Sequence, residues 1–408
     1  MKAQPRVAFF TDSLHEINGV AHTSRQFVKF IKCRQLPLLC VNAGRRTKWN
    51  RDGPLTQMEI KRGRCALRLD DELRSDFLLW RHYQDVHKAV HDFAPDVIHI
   101  TGPSDIGQLG AYVAHKLKIP LVASWHTNLH QYAVERFGRW LPFMKPQQIE
   151  ACVLTLTLRF YQLARVLLAP NEELRELLQT RTGKPTFLMQ RGIETETFSP
   201  AHRLRLDSKF KLGYVGRLRP EKNLRALVRV EEALLKTGIN DYQFIIIGSG
   251  SEQEWLNQHL QHAVFTGNLT GQSLIRSYAN FDLFVFPSQT DAFGNVVLEA
   301  LASGVPAVVM NSGGPKFIVE SEKSGFVAQD EKDFAETVVR VMRELANPER
   351  KHQLREAARA RALCFAWSRV FEQVYEAYDT CLSTQQVLAV EANKSNTIST
   401  STSTMSKS

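Results

Sequence analysis

Two carboxylates flank a glycine in the segment Asp291-Ala-Phe-Gly-Asn-Val-Val-Leu-Glu299. The segment follows an apolar run ending at Pro287. It leads into a helical pattern expected from Asn295 to Ser303, where Gly304 and Pro306 stop it. Gly294 lets the backbone approach a ligand closely. The amides of Phe293, Gly294 and Asn295 would then lie at a helix N-terminus, facing an anionic or hydroxyl-rich ligand. Asp291 before the helix and Glu299 about one turn inside it would reach one ligand at different depths. Two carboxylates at this spacing first suggest acid/base chemistry. The ordinary alternative is a helix-start acid and a surface glutamate.

Three further segments carry chemistry. Gly216-Arg217-Leu-Arg-Pro-Glu-Lys222-Asn223 follows an apolar run and precedes a helical pattern. There a guanidinium fork and an ammonium point charge suit a diphosphate. Such cations also stabilise a leaving nucleoside diphosphate as its charge develops. The alternative is a solvated basic loop. Asn18-Gly19-Val20 puts a glycine at a first strand-to-helix turn, another phosphate position, or simply a tight turn. Ser124-Trp125-His126-Thr127-Asn128 places His126 at the end of a strand-like run. It would hydrogen-bond a sugar hydroxyl or phosphate there, unless it is a satisfied structural histidine.

The elements that must position these residues read as alternating strands and helices. Strands are expected at Arg6–Phe10, Leu38–Val41, Val97–Ile100, Leu121–Ser124, Val166–Ala169 and Thr186–Met189. They resume at Lys211–Val215, Phe244–Ile247, Val264–Thr266, Leu283–Pro287 and Ala307–Met310. Continuous apolar strands separated by helices predict mostly parallel sheets covered on both faces. The fold class is α/β, with two Rossmann-like doubly wound domains and ligands at the carboxyl ends of their strands. The polar stretch Arg191 to Ser208 reads as an interdomain connection. The expected boundaries are 1–190 for the first domain and 191–365 for the second. A helix follows at 366–382, packing back on the first domain, and then a Ser/Thr-rich disordered tail at 383–408. Ala151 to Pro170 reads as a buried amphipathic helix.

Composition narrows the function classes. The chain has 408 residues, 43% of them hydrophobic and 23% charged, which is ordinary for globular domains. No apolar run reaches the ~20 residues of a spanning helix. Arg6 to Phe10 reads as a strand rather than a secretory signal core. Six cysteines, Cys33, Cys40, Cys65, Cys152, Cys364 and Cys381, show no paired spacing. This argues against a metal cluster or disulfide framework and suits a reducing cytoplasm. The net charge of +10 is one-sided, with 27 Lys/Arg against 17 Asp/Glu in residues 1–185 and 25 against 25 beyond. Such a field favours an anionic partner: a membrane surface, a nucleic acid or a phosphorylated substrate. No nucleic-acid motif is recognisable, so none is expected as a partner.

Taken together, the chain resembles a retaining family-four glycosyltransferase with the GT-B fold, in which two domains face a central cleft. The matching stretches are TDSLHEINGVAHTSRQF, SWHTNLHQYA, RGIETETFSP, GYVGRLRPEKN, IIIGSGSE, VFTGNL, PSQTDAFGNVVLEALASGVPAVV and GGP, covering about residues 6–380. The resemblance implies that Arg217 and Lys222 bind the donor diphosphate and that Glu299 binds the donor ribose. Asp291 would contact sugar hydroxyls, and the backbone of Phe293, Gly294, Asn295 and Val296 would wrap the sugar. Gly19 would lie in the loop beneath the phosphates, His126 near the transferred sugar, and Phe265 and Thr266 facing the base. His126 and Asp291 are the residues placed nearest the reacting centre. The family is similar in needing no metal or other cofactor, only a nucleotide-sugar co-substrate, GDP- or UDP-linked. Position 291 is Asp where most of the family has Glu, a feature shared with some lipid-directed mannosyl- and glucosyltransferases. Leu14-His15-Glu16 lacks the Pro often found before Asn-Gly-Val, which bears on the acceptor-side loop.

The implied reaction moves a hexose, mannose from GDP-mannose first and UDP-glucose next, to a lipid or glycan acceptor. A non-catalytic sugar-nucleotide-binding scaffold is the alternative from another class. Two basic features bear on the acceptor. Arg45, Arg46, Lys48, Arg51, Lys61, Arg62, Arg64 and Arg68 face only Asp52 and Glu59 in their stretch. Arg136 to Lys145 mixes cations with Trp140, Leu141, Phe143 and Met144. Both suit peripheral attachment to an anionic membrane from the cytoplasmic side.

Overall fold

The computed structural model describes residues 4–12, 14–15, 19–63, 67–68, 74–126, 145–204, 208–291 and 293–383. The chain forms two compact units. One comprises the residues up to Gln190 together with those from Val370, and the other runs from Arg191 to Arg369.

The first unit is built on an eight-stranded sheet. Its strands are β1 (Val7–Thr11), β2 (Leu38–Gly44), β3 (Lys48–Asp52), β4 (Leu55–Lys61), β7 (Val97–Ile100), β8 (Leu121–Ser124), β9 (Val166–Ala169) and β10 (Thr186–Leu188). A separate antiparallel pair, β5 (Leu67–Arg68) and β6 (Arg74–Ser75), lies between β4 and β7 in sequence. The sheet order is β10-β9-β8-β7-β1-β2-β4-β3. Every pairing is parallel except that of β3 with β4. The strands β1, β7, β8 and β9 are buried throughout, as parallel strands covered on both faces must be.

The pair β3 and β4 departs from the sequence expectation, which read this stretch only as a basic feature. Leu55, Met58 and Ile60 anchor β4 in the core, while β3 is exposed at every position and closes the sheet edge with charged residues. A charged, exposed edge resists pairing with other chains. Within it Lys48 is engaged by Glu59, at 3.3 Å. The helix within Ala151 to Pro170 also differs. It spans Pro146–Tyr161, buries Ile149, Thr157, Leu158 and Tyr161, and leaves Leu156 59% exposed, so it is not a buried helix. From 367 to 383 the chain is helical again. This helix packs on the first unit through Phe371 against Phe27 and Tyr375 against Phe30, with ring centroids 5.1 and 6.1 Å apart.

The second unit holds a six-stranded, all-parallel sheet. Its strands are β11 (Phe210–Val215), β12 (Tyr242–Ile247), β13 (Ala263–Gly267), β14 (Leu283–Phe286), β15 (Ala307–Met310) and β16 (Gly325–Ala328). The order β13-β12-β11-β14-β15-β16 is that of a dinucleotide-type doubly wound sheet, with its reversal between β11 and β14. The short β16, opened by Gly325, carried no strand signal. The stretch after Arg191 is bound into this unit rather than left as a loose connection. Arg359 donates to the carbonyls of Thr195, Phe198 and Ala302 at 2.9, 2.8 and 2.6 Å.

Candidate functional site

The reversal between β11 and β14 sets the geometry of the second unit. Adjacent parallel strands there send their following loops apart, which opens a crevice at their carboxyl ends. The loop after β11 carries Arg217 and Lys222. Leu218, fully buried, pins it to the core, and Pro220–Lys222 forms a 3₁₀ turn closed by Asn223. Lys222 is only 9% exposed. Its ammonium lies 2.8 and 2.9 Å from the two oxygens of Asp291, which follows β14. Thr290 Oγ1 donates to the Glu221 carbonyl at 3.1 Å, a second tie between the two loops. Arg217 is exposed, and no carboxylate among the described residues pairs with it. One cation is thus held against the site's acid and the other faces solvent, available to an anion.

Asp291 leads into the helix Asn295–Ala302 through Gly294, whose φ of 93° a side-chain-bearing residue rarely adopts. A Cβ at Gly294 would meet Pro315 Cγ at 2.8 Å. The Gly314 amide donates to the Asp291 carbonyl at 2.7 Å, so the segment Gly313–Pro315 fixes this turn from behind. Among the described residues no side chain caps the helix; the Val297 amide donates to the Gly294 carbonyl, and those of Asn295 and Val296 face its open end. Glu299 is half-buried on that helix. Burial pushes its carboxyl up to about 7, and the Tyr278 hydroxyl opposes the shift. That hydroxyl is itself buried and has no hydrogen bond of full geometry. Glu299 is therefore neither a surface acid nor firmly ionised at neutral pH.

Phe293, half-buried, packs its ring 6.5 Å from that of Phe365. Phe265 and Thr266 lie on β13, the sheet edge, two strands from β11. Phe265 packs partly on the core. The Thr266 hydroxyl donates to the carbonyls of Gly267, at 3.1 Å, and Ile246, at 3.5 Å.

Gly19 and His126 belong to the first unit. Gly19 itself opens the helix Gly19–Arg34 and is half-buried. The helix is tied back to β1 by Thr11 Oγ1 and Ser24 Oγ, 2.8 Å apart. His126 follows β8 and sets its Nε2 2.8 Å from Ser124 Oγ. Thr127, Asn128 and the basic, aromatic run from Arg136 to Met144 lie outside the described residues, as do Asn18 and the chain beyond 383.

Known proteins resemble this chain along most of its length. The family described as Glycosyl transferases group 1 matches residues 196–361, and Glycosyltransferase Family 4 matches residues 52–197. A GDP-mannose-dependent alpha-mannosyltransferase of Mycolicibacterium smegmatis is 30% identical over 308 residues, covering 74% of this chain and 78% of that protein. One of Corynebacterium glutamicum with the same name is 27% identical over 387 residues, covering 92% and 87%. The chain belongs to glycosyltransferase family four. Among solved structures, sucrose-phosphate synthase from Thermosynechococcus elongatus superposes with a TM-score of 0.63 at 19% identity, covering 95% of this chain and 100% of that one. A Rickettsia africae glycosyltransferase gives 0.64 at 14%, covering 93% and 99%. Family four and the GT-B fold are as the sequence resemblance implied.

In this glycosyltransferase, sequence reasoning missed three supports of the site. Gly248, after β12, adopts a φ of 140°, and a Cβ there would fall 1.9 Å from the Gly216 carbonyl oxygen. Only glycine lets the loops after β11 and β12 pack this closely. The Gly-Ser-Gly run at 248–250 behind a strand was the available signal. Gly313 and Gly314 had a similar signal, a glycine pair before proline. Tyr278, reaching Glu299 from the helix Gly271–Asn280, had none. No group of three metal-ligating side chains occurs among the described residues.

Proposed function

We propose that this glycosyltransferase moves a hexose, mannose from GDP-mannose first, to an acceptor hydroxyl with retention of anomeric configuration and without a metal. The observation that carries the reading is the Lys222–Asp291 contact at the reversal of the second sheet, with Arg217 exposed beside it. Arg217 and Lys222 would meet the diphosphate and offset the negative charge that grows on it as the glycosidic bond breaks. Asp291 accepts hydrogen bonds from the hexose, and the amides of Phe293 to Val296 line it. Glu299 accepts from the ribose diol, and Phe265 and Thr266 face the base. For Gly19 and His126 the family resemblance supplies the roles, beneath the phosphates and beside the transferred sugar. The acceptor proton passes to the departing phosphate oxygen on the same face. Asp291 and Glu299 then bind rather than act as the acid and nucleophile of a glycosidase.

The mannosyl donor rests on the likeness to the two GDP-mannose-dependent mannosyltransferases, and a UDP-glucose donor is the second reading. The one-sided basic charge supports a lipid acceptor at an anionic membrane over a soluble glycan. A donor screen tests the core of the proposal. GDP is expected to raise the melting temperature more than UDP or ADP, and GDP-mannose is expected to be slowly hydrolysed with EDTA present. A shift with UDP alone moves the donor to UDP-glucose. No shift with any nucleotide overturns the enzymatic reading.

A further inference from the structure

His99 lies fully buried on β7, with ring centroids 5.1, 6.3 and 5.7 Å from those of Phe9, Phe27 and Tyr378. An imidazole in such surroundings needs partners on its ring nitrogens. Its Nδ1 is 2.6 Å from the Tyr378 hydroxyl, and its Nε2 is 3.0 Å from Ser124 Oγ. Ser124 Oγ lies 2.8 Å from His126 Nε2 and 3.3 Å from the Ile100 carbonyl oxygen. A continuous chain of hydrogen bonds therefore runs from the helix at 367–383, through β7 and β8, to His126.

Counting protons gives the chain a direction. The Tyr378 hydroxyl is fully buried, and His99 Nδ1 is its hydrogen-bond partner among the described residues. A buried phenol proton with no acceptor forfeits its hydrogen bond to water without replacement, so Tyr378 donates and His99 Nδ1 accepts. Burial first, and then the charge that His126 carries when protonated, hold His99 down to about 3, and the ring is neutral. Tyr378 stays a phenol, because burial holds it well above its ordinary range. A neutral imidazole has one proton. That of His99 is on Nε2 and is donated to Ser124 Oγ. Ser124 has one proton to give, and when His126 is uncharged its Nε2, at 2.8 Å, is a nearer acceptor than the Ile100 carbonyl at 3.3 Å.

We propose that Tyr378, acting through His99 and Ser124, directs the Ser124 hydroxyl proton at His126 Nε2, so that the uncharged form of His126 is the Nδ1–H tautomer and Tyr378 is a positioning residue for it. The role of His126 beside the transferred sugar rests on the family-four reading above; the tautomer does not. The consequence is that the proton of uncharged His126 resides on Nδ1, not Nε2.

The test is long-range ¹⁵N–¹H correlation on the full chain with ¹⁵N-histidine, without donor, using His99→Gln and His126→Gln to assign signals. Above the pH at which His126 loses its charge in the same titration, wild type is expected to show His99 as the Nε2–H form and His126 as the Nδ1–H form. His126 found as the Nε2–H form overturns the proposal. In Tyr378→Phe the His126 signals are expected to move toward a tautomer mixture. Unchanged signals in a folded variant remove Tyr378 from the chain. Ser124→Ala gives the same reading should Tyr378→Phe not fold. In transfer assays Tyr378→Phe is expected to lower kcat by roughly 10-fold or more with the donor KM held, as loss of a tautomer-fixing partner does. Wild type that shows the expected tautomers but transfers no sugar would sink the enzymatic reading and leave the tautomer assignment standing.

Discussion

Lys222 and Asp291 are separated by 69 positions in sequence, yet each supplies the other's closest opposite charge. An ammonium largely removed from water and held by both oxygens of one carboxylate is fixed in place before any ligand arrives. Lys222→Met and Asp291→Asn are each expected to cut transfer by about 100-fold or more, as loss of one transition-state charge partner does. In a double-mutant cycle on nucleoside diphosphate affinity the two should couple by roughly 0.5–3 kcal/mol. Additive losses would mean that the pair does not act as a unit. Glu299 gives a second test. Its folded carboxyl titrates at about 7 against an ordinary 4.5, so the folded chain holds that proton more tightly than the unfolded one. Its contribution to stability is therefore full below about 4.5 and is lost as pH rises through 7, by up to about 3 kcal/mol. An ionised carboxylate accepts more strongly from hydroxyls than a protonated one, so on the proposed ribose role GDP affinity should rise between pH 6 and 8. Glu299→Gln should bind more weakly and lose that rise, in calorimetry at several pH values.

At the scale of elements, the turn into the helix Asn295–Ala302 depends on Gly294. Gly294→Ala adds a strained φ and a contact with Pro315, and is expected to cost about 1–3 kcal/mol and to abolish donor binding. Gly183→Ala is the control. It has a φ of 68° with nothing within 4 Å of the added carbon, so it carries strain without a clash. Denaturant midpoints for the two variants separate the effects; equal midpoints would show that Pro315 yields. The same scale shows what could be read from sequence. Strands such as Val97–Ile100 and Ala307–Met310 were legible to the residue, because burial on both faces makes an uninterrupted apolar run. β4 was not, because Gln57 and Glu59 interrupt its apolar residues and Glu59 is buried at only 4% exposure. Lys48 and His15, each 3.3 Å from it, make that burial tolerable, and neither contact can be inferred from the neighbours of Glu59 in sequence.

For the whole molecule, the charge asymmetry is the feature that composition exposes most directly. No helix among the described residues is long and apolar enough to cross a membrane. Attachment would then rest on cations of the first unit, including Arg45, Arg46 and Arg51, which are exposed. Vesicles containing anionic phospholipid are expected to carry the protein upward in flotation at low salt. Neutral vesicles should not, and binding should weaken as the Debye length shrinks toward ~8 Å at physiological ionic strength. Absence of binding to anionic vesicles at low salt would end the membrane proposal and favour a soluble glycan acceptor.

The sequence by itself determined the α/β class, the placement of the candidate residues at strand ends and the family. These follow from local runs, turn residues and motif spelling, which a short window contains. Tertiary structure alone decided which strand ends are neighbours. The order of the second sheet puts β11 beside β14, and only that adjacency brings Lys222 onto Asp291. It also decided that Tyr278 reaches Glu299 and that His99, an unremarked histidine in an apolar strand, joins Tyr378 to His126. Such pairings depend on how crossover connections fold back across a sheet, and no run of neighbouring residues encodes that in isolation.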